Sequence, residues 1–258
     1  FVATYTIIGG FKAVAWIDAF QAIFLLVCLI ITPLITFFSI DGWSAITTNA
    51  LHNNISLNIV KFTSPMHFIN TMLMALSWAL PYAGMPHILT KFMGIANPAE
   101  INKSARLGLA WQTLALGSAM LVGLVGIGLF GHGLENPELI FVVMVLKQFT
   151  PLLAGIILCA IIAATLSTMD AQVLVAASTI AEDLFDHKKQ LNPHRLKTIW
   201  ALGIIATTTF AILAGLTTTS TIQGLVYYAW MGFGASFAPV IIVALYKQRV
   251  TPLAISTG

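Results

Sequence analysis

Apolar positions along this chain gather into six long blocks, at about 19–40, 66–86, 107–131, 150–181, 198–216 and 223–246. Each is long enough to serve as a membrane-spanning helix, which needs ~17–25 residues. No Lys or Arg falls inside any of them. Phe1 to Ile8 is apolar as well, yet too short to cross and without a charged flank, so it reads as the tail of a helix cut mid-membrane. PLAISTG, after Lys247 and Arg249, reads as the start of another. The pattern predicts an all-α, polytopic membrane protein with about six full transmembrane helices plus a truncated one. The expectation is one transmembrane domain over residues 1–258, truncated at both ends, with N-terminal helices of the same protein missing from it.

Composition strengthens this reading. Hydrophobic residues make up 58% of the chain and charged ones 8%, against roughly 45–50% and 25% in soluble domains. Basic residues collect on cytoplasmic loops. Lys12, Lys91, Lys103, Arg106, Lys188, Lys189, Arg195, Lys197, Lys247 and Arg249 fall on one set of alternating loops, and only Lys61 and Lys147 on the other. That places residues 41–65 and 132–148 outside. The net charge of +3 therefore speaks to topology and the lipid bilayer, and implies no nucleic-acid partner. Cys28 and Cys159 sit inside spans as small apolar fillers, with a disulfide improbable.

The chemistry lies where polar groups enter apolar blocks. In AATLSTMDAQVLVAASTIAEDLF, residues 163–185, Asp170 stands about twelve residues below Glu182 and Asp183. At 1.5 Å per residue that is ~18 Å, near the middle of a ~30 Å hydrocarbon core. An unpaired acid there costs at least ~2.5–3.5 kcal/mol and by default marks an ion or proton pathway. Ala164, Ser167 and Thr168, at i, i+3 and i+4, put one carbonyl and two hydroxyls on one helical face, the oxygen ligands that hard cations prefer. The competing reading has the hydroxyls bonding back to the carbonyl four residues earlier. Asp18, at the cytoplasmic mouth of the first full span, is a second acid, and no span carries a Lys or Arg.

WALPYAGMPHILTKF, residues 78–92, carries Pro81, Gly84 and Pro86 in or at the end of a span. Prolines remove backbone bonds from a helix, and such breaks at membrane depth persist only where protein or a cavity satisfies the freed groups. Trp78 and Tyr82, at i and i+4, would line that cavity; the alternative is an interfacial aromatic belt. GIGLFG, residues 126–131, matches a dinucleotide fingerprint in letters only, since it ends a span with no strand before it. Its small residues suit close helix packing instead. Asn54-Ile55-Ser56 matches a glycosylation sequon and decides nothing, and the six His show no metal-ligand spacing.

With these residues in view, the chain resembles the sodium:solute symporter family nearly end to end. YTIIGGFKAVAWIDAFQ resembles the stretch joining its fourth and fifth core helices and WALPYAGMPHILTKFM its sixth. AATLSTMDAQVLVAASTIAEDLF resembles the eighth and GLVYYAWMGFGASFAPVIIVALYKQR the tenth. The resemblance implies part of a five-plus-five inverted-repeat transporter core in a multi-pass cell membrane protein, as in a bacterial inner membrane, with sites near the midplane at broken helices. It implies a sodium-coupled symporter importing a small solute, L-proline foremost, with co-transported sodium and no organic cofactor, and no enzyme. Carried over residue by residue, sodium falls on Ala164 by its carbonyl and on Ser167 and Thr168 by their hydroxyls. A second cation or proton site falls on Asp18 and Asp170, and substrate contacts on Trp78, Tyr82 and Pro86. Pro81 and Met85 depart from the Gly and Gln of the family's proline carriers, and Asp170 and Ala171 replace serines of relatives with a second sodium. The first and third core helices are absent. Rival readings are a symporter-like sensor domain fused to a histidine kinase and a sodium symporter for another solute such as pantothenate.

Overall fold

The computed structural model describes residues 2–58, 64–131, 133–185, 192–218 and 221–246, and among them every regular element is helical. Lys61, Lys188, Lys189, Lys247 and Arg249, used above for orientation, lie outside the described residues. The α-helices are α1 (Val2–Ser39), α2 (Trp43–His52), α3 (Pro65–Ala79), α4 (Pro86–Met93), α5 (Ile101–Leu129), α6 (Ile140–Gln148), α7 (Pro151–Ser178), α8 (Pro193–Thr217) and α9 (Ile222–Tyr246). Among the described residues five stretches are long and apolar enough to cross a membrane: Gly10–Ser39, Pro98–Leu129, Pro151–Phe185, Pro193–Thr217 and Ile222–Tyr246. In α1 the turn of direction comes at Gly10, whose φ of 57° and ψ of −158° suit a residue without Cβ. The short apolar tail at the N-terminus is thus a helix kinked away from the first full span.

The second block, at 66–86, is broken, as its prolines led one to expect. Pro81 has no N–H and its ring crowds the carbonyl four residues earlier, so α3 stops at Ala79 and the chain tightens into a 3₁₀ turn over Leu80–Gly84. Met85 then adopts φ −77° and ψ 114°, the extended conformation that a following proline imposes. Pro86 opens α4 at its first turn, where a missing N–H costs nothing. Two prolines and five residues of tight turn replace the middle of a membrane helix.

The chain divides into two compact units, Phe1–Ile59 with Ala99–Leu174, and Val60–Pro98 with Val175–Gly258. In the first, Cys28 packs with Val145, Ala154, Ile157 and Ala160, while Ile46 packs with Val122, Val125 and Met144. Lipid is as apolar as Leu, so close packing rather than water exclusion holds such helices. Gly126, Gly128 and Gly131 make that packing possible: an added Cβ would strike Ile140 at Gly126, reach 2.7 Å from Ile40 Cδ1 at Gly128 and 3.0 Å from Asn49 at Gly131. The GIGLFG run is a packing device, as its position at a span end suggested. Its carbonyls are capped too. Asn49 Nδ2 donates to the Gly128 oxygen at 2.8 Å, Asn53 Nδ2 to that of Gly131, and Lys147 Nζ to that of Leu129 at 3.4 Å. Lys147 also lies 5.3 Å from the Phe130 ring centre.

In the second unit, Ala177 lies against Gly203, where a Cβ would come 3.3 Å from the Ala177 Cα. After Ser178 the chain continues as a π turn over Thr179–Phe185. Its i→i+5 ring is wider and rises less per residue, so the twelve residues from Asp170 to Glu182 span somewhat less than the ~18 Å of an unbroken α-helix.

Candidate functional site

Ala164, Ser167 and Thr168 lie in regular α-helix within α7, so the shared face predicted from spacing exists. Thr168 Oγ1 donates to the Ala164 carbonyl at 3.1 Å, the back-bonding anticipated as the competing reading. A hydroxyl that donates its proton inward turns its lone pairs outward, while the Ala164 carbonyl, which already accepts the Thr168 backbone N–H of the helix, has both lone pairs engaged. The bond orients the Thr168 oxygen as an outward acceptor, and a cation at the Ala164 carbonyl would take the place of that hydroxyl bond.

The acids sit differently. Asp170 is fully buried and Asp18 is 8% exposed, both within the first unit. Asp170 belongs to the buried stripe of α7 that runs through Ala160, Ala163 and Ala171, whereas Thr168 is exposed. Two residues at 100° each separate Thr168 from Asp170 by about 200° around the axis, and half-buried Ser167 lies between. Asp18 continues the buried stripe of α1 from Val14 toward Cys28, Thr32 and Thr36. A cleft of about 480 Å³ between α1 and α7 is walled by Trp16, Phe20, Phe24, Ile162 and Leu166. It is apolar and lined by neither acid.

The break in the second unit is tied to α9 by small residues. Gly84 meets the α9 backbone so closely that a Cβ would stand 2.7 Å from the Ala238 nitrogen, and Gly234 leaves room for the Pro81 ring. Pro81, Gly84 and Met85 are buried. This seam brings four aromatic rings together. Tyr82 meets Trp230 edge-on with ring centres 4.7 Å apart, Trp78 lies 6.4 Å from Trp230 and 5.8 Å from Tyr227, and Trp230 Nε1 donates to the Trp78 carbonyl at 3.0 Å. The i, i+4 spacing of Trp78 and Tyr82 is interrupted by the 3₁₀ turn, and Trp230 is what both rings share. Pro86 stands at the first turn of α4, half-buried, beyond this cluster.

Comparison with known proteins decides the kinship. The model of the sodium:solute symporter family matches residues 1–253. The chain belongs to the sodium:solute symporter family. It is 37% identical, over 97% of its length and 53% of the relative's, to the high-affinity proline transporter PutP of Bacillus subtilis. It is 35% identical, over 97% of its length and 50% of the relative's, to a sodium/proline symporter of Staphylococcus aureus. The chain spans about half the length of the curated relatives it matches. No solved structure matches it significantly. As a sodium:solute symporter family member with five membrane-length apolar helices among its described residues, it is a multi-pass membrane protein.

Tyr227 and Trp230 were missed by the sequence reading. They stand with Gly234 and Ala238 at i, i+3, i+7 and i+11 of α9, one helical stripe of two aromatic and two small residues. That periodicity in this family member was the available signal.

Proposed function

We propose that this chain is the C-terminal-side part of the core of a sodium-coupled symporter that imports proline or a similar small zwitterion. The aromatic-lined break at Leu80–Gly84 carries the proposal, because in transporters substrate and ion sites lie at discontinuous helices of this kind. Residues 1–258 act within one transport domain. Sodium is held by the Ala164 carbonyl and the Ser167 and Thr168 hydroxyls, with Asp18 and Asp170 as a second cation or proton site. Trp78, Tyr82 and Pro86 face the substrate. Proline is supported by the transport named for both relatives, and this favours a carrier over a sensor.

The coupling is thermodynamic. Sodium on α7 favours the conformation in which the substrate site is ordered, and each ligand raises the other's affinity by the same factor. An inward sodium gradient then drives uptake as one helix bundle rocks against the other. In the full-length protein in proteoliposomes, Ser167→Ala and Thr168→Ala should each raise the sodium concentration for half-maximal proline uptake. One lost oxygen ligand is worth roughly 1–3 kcal/mol, about 5- to 150-fold. Unchanged sodium dependence in both variants would remove the α7 assignment.

A further inference from the structure

Trp78 lies in the last turn of α3, and the last four carbonyls of an α-helix have no intrahelical N–H to accept from. The donor comes from elsewhere: Trp230 Nε1, 152 residues away in sequence, reaches the Trp78 carbonyl at 3.0 Å. The same indole stacks edge-on against Tyr82 at 4.7 Å. Both connections lie within one compact unit, at the seam where Gly84 meets Ala238 and Pro81 meets Gly234.

Exposure assigns different roles to the four rings. Tyr82 and Tyr227 are 46% and 44% exposed, whereas Trp78 and Trp230 are half-buried. Open aromatic faces attract an alkylated ammonium group through the ring quadrupole, and their direction depends on what stands behind. Phe and Tyr could supply the ring surface of Trp230, but neither has an N–H where the indole has it.

We infer that Trp230 is a positioning residue of the substrate site. It bonds the Trp78 carbonyl at the end of α3 and backs the Tyr82 ring, and so sets affinity and selectivity for a small solute with a ring-borne or alkylated ammonium group, with Tyr227 beside Trp78. This rests on the reading of Trp78 and Tyr82 as substrate contacts. A purely structural tryptophan would change protein level and all ligand affinities together; a positioning one changes substrate recognition alone.

The test uses the full-length protein in proteoliposomes at matched density, with L-proline as substrate and four- and six-membered cyclic imino acids as competitors. Trp230→Phe keeps the ring and removes the donor. It should raise the proline KM about 3- to 10-fold, the worth of one hydrogen bond. It should also alter the order of preference among the competitors, and leave the maximal rate and sodium binding without substrate unchanged. Trp230→Ala should do the same more strongly; if it fails to insert, Trp230→Phe decides alone. Wild-type KM and selectivity in Trp230→Phe, with raised KM in Trp78→Ala and Tyr82→Ala, would overturn the inference and leave the substrate reading standing. Wild-type KM in all of them would bring down both. Parallel loss of sodium and proline affinity in Trp230→Phe would mark general damage and overturn the positioning role.

Discussion

The oxygen face of α7 and the broken segment before α4 each carry a backbone carbonyl bonded by a side chain, but they are held in opposite ways. On α7, the Ala164 carbonyl is bonded by Thr168 of the same helix, so its geometry is set within four residues. At the break, the Trp78 carbonyl is bonded by Trp230 and the turn is wedged against α9 at Gly84 and Ala238. A face built locally survives changes elsewhere and is sensitive to its own side chains. A face built across two elements is sensitive to any residue along the seam.

Three substitutions break or sharpen that contrast. The largest effect is expected on α7, for Asp170→Asn, which keeps the shape and removes the charge. As part of a desolvated charge pair with the cation it should weaken sodium affinity by about 30-fold or more, at every pH from mildly acid to mildly alkaline, in sodium titrations of uptake. Wild-type sodium affinity across that range would give Asp170 a neutral structural role. Next comes the seam. Gly84→Ala places a Cβ against α9 backbone that has no side chain to move aside, and overpacking of this kind costs ~1–3 kcal/mol. Thermal unfolding in detergent should fall and the proline KM rise, while sodium affinity without substrate is unchanged; an unaltered melting temperature would show that the seam is loose. The smallest is Asn49→Ala, which strips the Gly128 carbonyl of its 2.8 Å donor. It should lower stability by roughly 0.5–1.5 kcal/mol with transport kinetics unaltered, and altered kinetics would tie this cap to the cycle.

Much of this was legible in the letters because membrane helices announce themselves by length and hydropathy. The long spans and the packing role of Gly126, Gly128 and Gly131 followed from composition and position. So did the shared face of Ala164, Ser167 and Thr168, since i, i+3 and i+4 is a local relation. Pro81 and Pro86 foretold a break in the block at 66–86, yet not that the break would be a 3₁₀ turn followed by a separate helix, because that depends on what α9 offers opposite it. The Trp230 donor was invisible for the same reason: a contact between positions 78 and 230 is a product of tertiary packing. The burial of Asp170 away from Thr168 was available in principle from the 200° between them, and the apolar stripe through Ala160 and Ala163 was its signal.

The π turn over Thr179–Phe185 acts on angle as well as on length. A wider ring delays the azimuth of every later residue, so Glu182 and Asp183 point where they do because one additional residue has been absorbed beneath them. Deleting a single residue here would restore α periodicity and swing that acidic pair by about 100° around the axis. Ala177, against Gly203, would hold its place. The compass bearing of the helix's charged end is thus a matter of residue count, and an insertion or deletion in this turn changes it more than most substitutions could.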